Sequence, residues 1–272
     1  MDLYGKLFGQ TFQSDFGAGL AAPIFEELGK GSGVLLLAFL ARPVVRTAYD
    51  GFILGAFVGL GFEIIEDISY GLNSAAAEFG SDQLNTSLHT VALRLGTGFS
   101  SHILYSAIVG AGVVYLIGTA AQRRRTGLGL GLVATAMVLH GLWDANVGLG
   151  NGNGVAVAGL MATEIVASFA IVIGVFHHTV RPEREAMRAV MAPEVDSGVI
   201  TAEELDALAG GGRQRRAYRK AARDRADRRA RHHRLEAAHD LADQLGAARG
   251  ADTEQVRFAR AELDRLHHPQ RA

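Results

Sequence analysis

Five long apolar segments constrain the fold of this chain more than any other feature of its sequence. A helix needs about 20 mostly apolar residues to cross the hydrocarbon core of a bilayer. Stretches of at least that length occupy residues 16–40, 47–72, 98–121, 126–147 and 155–178. Gly51, Gly55 and Gly59 recur every four residues in the second stretch, a spacing that suits close helix contact in lipid. The sequence therefore predicts an all-α fold, a polytopic transmembrane bundle of about five spans.

The charged residues divide the chain into two parts. They make up 20% of the sequence and are concentrated after residue 180. We expect a transmembrane domain over residues 1–180 and a polar helical tail over residues 181–272. In the tail, Thr201 and Glu204 form a T-x-x-E capping box, and long charged helices are predicted over 213–249 and 253–267. Acidic residues offset much of the positive charge of the arginines. We therefore expect the tail to dock a cytoplasmic partner and do not expect it to bind nucleic acid.

Arginines in the connecting segments predict the orientation, because Lys and Arg accumulate on the cytoplasmic side. Arg42 and Arg46 lie between the first two segments, residues 123–125 are three arginines between the third and fourth, and the tail follows the fifth. The other connections contain Arg94 alone and are predicted to face outward. These assignments describe an integral plasma membrane protein with a cytoplasmic tail. They also put the amino terminus outside, which predicts missing upstream helices.

Ionisable side chains inside the apolar segments are costly and usually face a cavity or a partner. At about 1.5 Å of rise per residue, their heights above the cytoplasmic ends of the spans are about 22 Å for Glu27, about 24 Å for Glu66, about 21 Å for His140 and about 31 Å for His102. Four separate helices therefore place a titratable group in the outer part of the bilayer. We expect a hydrated pocket there, inside the bundle.

The same residues lie in four ordered motifs. The motifs are Glu26-Glu27-Leu28-Gly29-Lys30, GAFVGLGFEIIEDISY from Gly55 to Tyr70, SHILYSAIVGAG from Ser101, and HGLWDA from His140. With them the chain resembles the PrsW family of intramembrane proteases, which is distantly similar to the CAAX-prenyl-protease and bacteriocin-immunity group. The resemblance covers about residues 21–146 and none of the tail. Asp67 and Asp144 depart from it, since asparagine is frequent there in the family, and Glu63 stands where a small residue is commoner.

The resemblance implies peptide hydrolysis, which requires an activated water, a group that steadies the developing oxyanion and an acid for the leaving amine. We assign water activation to one of the two adjacent glutamates, with help from Glu66. The two histidines are expected to orient the water or polarise the carbonyl. The assigned catalytic residues are Glu26, Glu27, Glu66, His102 and His140, with Lys30, Asp67 and Asp144 in support.

Structural interpretations of the same residues stay open. The glutamate pair with Lys30 is also explained as an ion pair that pins helices together, since residues three and four apart share a helix face. His102 is equally well explained as a hydrogen-bonded structural histidine. His140 with Trp143 also fits an anchor at the membrane interface, where tryptophan is enriched. Glu164 lies outside every motif and is assigned a structural role.

A metal is the main mechanistic alternative. His102, His140 and Glu66 are a ligand set that suits zinc with one position left for water. The sequence contains no HExxH motif and no cysteine, so neither the usual helical zinc motif nor thiolate ligands are available. The sequence leaves both glutamate-activated water and zinc open.

The resemblance implies that the chain is an intramembrane endopeptidase. Its substrate is expected to be a single-span membrane protein in the lipid bilayer, and by family analogy an anti-sigma factor, which gives a role in stress signalling. Two functions of other classes remain. A transporter or proton relay also needs intramembrane carboxylates, and an immunity-type scaffold would tolerate loss of the glutamates and histidines.

Overall fold

The computed structural model describes residues 2–41, 44–98, 101–119, 121–248 and 251–268. These residues form helices joined by short connections, so the predicted all-α class is confirmed. The chain divides into two compact units, Met1–Thr179 and Val180–Ala272. Arg42, which the sequence assigned to the cytoplasmic side, lies outside the described residues.

Twelve α-helices are present in the described part of the chain. In chain order they are α1 Asp2–Phe8, α2 Gln10–Leu40, α3 Ala48–Ala77, α4 Gln83–Thr97, α5 His102–Ile117, α6 Thr126–Asp144, α7 Asn146–Leu149, α8 Gly154–Asp196, α9 Ala202–Leu208, α10 Gly212–Lys220, α11 Arg225–Ala248 and α12 Glu254–His267. The boundary between the two units falls within α8.

Helix α5 forms the core of the first unit and packs against α2, α3 and α6. Tyr105, Ile108 and Val114 have no exposed surface, and most of the remaining helix is buried as well. The glycine spacing on α3 explains the close approach of the α3 backbone to the α5 backbone. A Cβ atom on Gly59 would overlap the carbonyl oxygen of His102 and lie 2.8 Å from the Cβ of Ser106. The predicted close contact at these glycines is confirmed.

Two helices, α6 and α8, are long and apolar enough to cross a bilayer, judged on the described residues. Helix α5 is apolar but has 16 residues. Helices α2 and α3 have 31 and 30 residues, and both carry ionisable side chains near their middle. Membrane insertion is therefore supported by two clear candidates, while the five-span count remains a prediction.

Helices α2 and α3 are apolar on the outside and charged on the inside. In α2, Phe25 is 77% exposed, whereas Glu27 is 1% exposed. In α3, Ile65 is 65% exposed, whereas Asp67 is 5% exposed. A helix at the surface of a water-soluble protein shows the opposite pattern. This inverted distribution is typical of helices that face lipid and enclose a polar site.

The two basic connections lie side by side. The hydroxyl of Thr119, after α5, donates a hydrogen bond to the carbonyl of Arg46, before α3. The backbone N–H of Ala48 donates to the side-chain oxygen of Gln122 over 3.4 Å. The segments that carry Arg46 and residues 123–125 therefore share one end of the bundle, as a common cytoplasmic side requires.

The second unit has its own apolar core, formed by the end of α8 together with α9, α11 and α12. Its fully buried members include Met191, Leu241, Val256 and Leu263. The predicted helix over residues 213–249 is wrong, because the chain breaks between Lys220 and Arg225. The carboxylate of Asp224 accepts a hydrogen bond from the N–H of Asp227 at 2.8 Å and so begins a new helix.

The predicted capping box at the start of α9 is confirmed, with Thr201 and Glu204 each accepting from the other's backbone N–H. The Glu204 carboxyl is 2% exposed and also accepts from Tyr218 at 2.8 Å. Burial raises the pKa of this carboxyl, but hydrogen bonds from Thr201, Tyr218 and His267 outweigh burial and hold the pKa below its ordinary value. Glu204 therefore stabilises the second unit in its ionised form.

Candidate active site

Glu27 lies in a fully buried position between a cation and an imidazole. Its side chain is 0% exposed, and Oε1 accepts from Lys30 Nζ at 2.5 Å and from His140 Nδ1 at 3.0 Å. Glu27 and Lys30 are three residues apart and so share the inner face of α2. Because Nδ1 of His140 donates in this bond, Nε2 of the neutral ring keeps its lone pair. Glu27 thereby sets both the tautomer and the orientation of the imidazole.

His102, the first residue of α5, links the glutamate pair on α2 to the acids on α3. Its Nδ1 lies 2.9 Å from Lys30 Nζ, and its Nε2 lies 2.8 Å from Glu66 Oε2. An ammonium group has donors alone, so Nδ1 accepts and Nε2 donates to the carboxylate. The rings of His102 and His140 are 4.9 Å apart and nearly perpendicular.

Acceptor atoms converge on the free nitrogen of His140. Nε2 lies 3.7 Å from Glu26 Oε2 and 3.4 Å from Asp144 Oδ2. Among the described residues, Glu26 Oε2 has no hydrogen-bond partner although it is buried. Two carboxylate oxygens and an imidazole lone pair that face one another require a cation or a proton between them.

The α3 acids are bound by Arg94, which α4 contributes. Its Nε lies 2.5 Å from Asp67 Oδ1, and its Nη2 lies 2.6 Å from Glu66 Oε2 and 3.6 Å from Glu63 Oε1. The guanidinium also lies 4.1 Å from the ring centre of Tyr70. One arginine therefore bridges three carboxylates, whereas the sequence indicates merely a charge in an outward-facing connection.

Tyr105 and Glu164 also belong to the cluster, although no motif contains Glu164 and no role was assigned to Tyr105. The Tyr105 ring has no exposed surface and stacks on the His140 ring at 5.6 Å, with 20° between the planes. Its hydroxyl donates to Glu164 Oε1 of α8 over 3.2 Å. The hydrogen bond from Tyr105 explains why the Glu164 carboxyl is buried here. Sequence motifs do not reveal such a pair, because its two members lie on different helices.

A small polar cavity of about 50 Å³ borders the cluster. Its lining includes Glu66, Arg94, His102, Trp143 and Asp144. One water occupies about 30 Å³ in the liquid. The cavity is therefore large enough for a water molecule next to both carboxylates and an imidazole.

The structure thus brings all the sequence-predicted site residues into one contact network. Charged and imidazole side chains from α2, α3, α5 and α6 meet in the interior of a bundle whose outer surface is apolar. This arrangement defines a class: a membrane-embedded enzyme with a buried polar site. The catalytic roles of the individual residues remain predictions.

The chain belongs to the PrsW family. A family model described as PrsW family intramembrane metalloprotease matches residues 2–176, which include every residue of the cluster. No curated protein and no solved structure gave a match. The protein is therefore an intramembrane peptidase that acts on a membrane protein in the bilayer.

The residues present fit the metal that the family description implies. Two sets of three side chains have ligand atoms within 4.8 Å of one another: Glu26, His102 and His140, and Glu63, Glu66 and His102. Among the described residues the cluster holds seven carboxyl groups, Glu164 included, but one lysine and one arginine, so it lacks positive charge. Imidazole and carboxylate donors with a buried, unpartnered oxygen suit zinc.

Proposed function

We propose that this chain is a five-span endopeptidase that hydrolyses a peptide bond of a single-span membrane protein in the outer half of the bilayer. The observation that carries the proposal is the buried contact network of Glu27, Lys30, His102 and His140. Ion pairing between helices needs one acid and one base. This network adds two imidazoles and a neighbouring cavity that could hold a water, which an ion pair between helices does not need and which supply groups that hydrolysis uses.

We assign the general base to Glu26. A base needs an oxygen that no other group holds, and Glu26 Oε2 meets that condition among the described residues. The Glu26 side chain is 25% exposed although Oε2 itself is buried, so this residue lies at the edge of the cluster. Glu27 Oε2 is also unpartnered among the described residues, but this side chain is fully buried and its Oε1 is engaged by Lys30 and His140, which suits orientation rather than proton transfer.

Glu66 and the histidines have assisting roles in this proposal. Glu66 accepts from His102 and lines the cavity, so it holds a water there. Glu26 does not line the cavity, but its Oε2 and the cavity-lining Asp144 both lie within 3.7 Å of His140 Nε2, where that water would meet the base. His102 donates from Nε2 and Lys30 keeps its ammonium in contact with both glutamates, which places positive charge near the developing oxyanion. Zinc bound by Glu26, His102 and His140 would add Lewis-acid polarisation of the scissile carbonyl.

Substrate and topology complete the proposal. The shared position of the Arg46 and Arg123–Arg125 connections supports a cytoplasmic location for that end of the bundle. With five spans, the tail is then cytoplasmic in the plasma membrane and available to a cytoplasmic partner. A single-span anti-sigma factor is the proposed substrate by family analogy, with stress signalling as the outcome.

The test uses purified protein in liposomes with a panel of tagged single-span proteins, with and without a chelator. We expect cleavage near the outer side of the substrate's membrane segment, loss of cleavage in Glu26→Gln, and unchanged cleavage in Glu78→Gln, whose exposed side chain lies outside the cluster. Cleavage that survives chelation would remove zinc and leave the carboxylate mechanism. Full activity of Glu26→Gln would refute the assignment of the base.

A further inference from the structure

Arg94 occupies the second of the two candidate metal-ligand sets. Its Nη2 lies 2.6 Å from Glu66 Oε2, and Glu63 Oε1 is 3.6 Å away. Both carboxylates are members of the set Glu63, Glu66 and His102. A metal-bound carboxylate oxygen lies about 2.0–2.2 Å from zinc. An ion in this set would therefore displace the guanidinium from a bond that it already makes.

The first set, Glu26, His102 and His140, differs in this respect. Its nearest cation, Lys30, bonds to Glu27 at 2.5 Å and to His102 Nδ1 at 2.9 Å, but stands 3.8 Å from Glu26. Glu27 is outside the set. The Glu26 oxygen consequently has no hydrogen-bond partner among the described residues. Glu63 Oε1 of the second set is also unpartnered among the described residues. The two sets therefore differ at one point: Arg94 bonds to a carboxylate of the second set at 2.6 Å, whereas Lys30 contacts the first set at its imidazole and not at its carboxylate.

The two sets compete because they share His102. In the present arrangement Nε2 of His102 is committed to Glu66, the carboxylate that Arg94 also holds. Loss of the arginine would free two carboxylates beside this nitrogen and leave the α3 acids short of positive charge. A divalent cation is the ligand that carboxylate and imidazole donors then favour.

We propose that Arg94 is a tethered counter-ion that keeps divalent metal out of the Glu63, Glu66 and His102 set and directs it to Glu26, His102 and His140. The inference rests on the proposed function to the extent that the cluster holds a metal. Arg94 touches the α3 carboxylates in a fork that also spans Asp67, so it acts as a specificity-determining residue for the metal position.

The test measures Co²⁺ and Zn²⁺ binding to the full-length protein in detergent. Co²⁺ absorption reports the ligand set, and competition with a fluorescent Zn²⁺ chelator gives stoichiometry and affinity. We expect Arg94→Gln to bind an additional ion, or to bind about 10- to 100-fold more tightly with a changed Co²⁺ spectrum. Glu66→Gln in the same chain should abolish that gain. Arg94→Lys keeps the charge and should behave closer to the unaltered protein.

Arg125→Gln is the matched control, because Arg125 lies near Tyr115 and His178, away from the cluster. Thermal unfolding and size-exclusion profiles establish that each variant is folded. Equal stoichiometry, affinity and spectra in Arg94→Gln and Arg125→Gln would overturn the inference, as would weaker binding in Arg94→Gln. Cleavage assays on the same samples test the proposed function separately: metal-independent cleavage would remove the zinc mechanism, and the binding data would still decide the role of Arg94.

Discussion

Gly59 is the position at which a single methyl group should damage the site without touching any of its polar side-chain atoms. A Cβ on Gly59 would overlap the carbonyl oxygen of His102 and lie 2.8 Å from the Cβ of Ser106. Both are parts of α5, so no flexible side-chain tip is available to relieve the contact. Carbon atoms in normal contact are about 3.5–4.0 Å apart. Gly59→Ala must therefore push the start of α5 away from α3 by about 1 Å.

The displaced segment begins with His102, which bonds to Lys30 and Glu66. Overpacking of this kind costs about 1–3 kcal/mol of unfolding free energy, which leaves the fold intact. A misplacement of about 1 Å at a catalytic group reduces rates by about 100-fold. We expect Gly59→Ala to be folded and membrane-inserted, with cleavage reduced by about that factor.

The assay compares Gly59→Ala with Gly61→Ala in liposomes. Gly61 is two residues along the same helix, and a Cβ there meets nothing within 4 Å. The chain has a single tryptophan, Trp143, which lines the cavity beside His102. Its emission should shift in Gly59→Ala and stay constant in Gly61→Ala. Equal cleavage rates and equal emission in the two variants would refute the argument that α3 packing positions His102.

Three further changes test other parts of the account. Tyr105→Phe keeps the ring on His140 and should reduce cleavage less than tenfold, whereas Tyr105→Ala opens a cavity, should lower the unfolding free energy by about 3–5 kcal/mol, and should abolish cleavage. Chelation should stop cleavage by the unaltered protein and added Zn²⁺ should restore it; activity in excess chelator would contradict the zinc proposal. The pKa of Glu204 is lower in the folded chain than in the unfolded chain, where it is about 4.3. The ionised carboxylate therefore stabilises the second unit above that unfolded pKa, and this stabilisation is lost as pH falls through the folded pKa. Hydrogen exchange of the full chain should therefore show α9 losing protection below about pH 4, and Glu204→Gln should remove that dependence; an unchanged pH profile in this variant would contradict the assignment.

Distances along helices predicted a similar depth for Glu27, Glu66 and His140 but put His102 about 7 Å higher, because α5 ends at Ile117 and the described residues from there to Arg123 are not helical. Glu27, Glu66 and His140 are separated by long stretches of sequence, but a fixed rise per residue converts each position into a height. The structure places these side chains in one network. Sequence spacing also predicted the contact between Lys30 and the glutamate pair, because residues three and four apart share a face.

Side-chain reach and helix packing explain what the sequence did not reveal. The sequence places Arg94 in an outward-facing connection. In the structure this residue belongs to α4, which lies against α3, and the long arginine side chain reaches Glu66 and Asp67. Glu164 lies outside every sequence motif, and its contact with Tyr105 is not predictable from spacing because the two residues lie on different helices. In the tail, a continuous run of helix-forming residues predicted one long helix. The helix is interrupted near Asp224, because the side chain of this residue accepts from a backbone N–H and caps a new helix.

Cleavage by Glu27→Gln tests the central claim most directly. The substituted amide would keep the size of the side chain but lose the charge that holds Lys30 and orients His140. Product masses from liposomes containing a single-span substrate give both the rate and the position of the cut. We predict that the unaltered protein cuts within the outer half of the substrate's membrane segment and that Glu27→Gln yields no product while remaining folded. Products of equal amount and identical mass from both proteins would contradict a catalytic cluster built around Glu27.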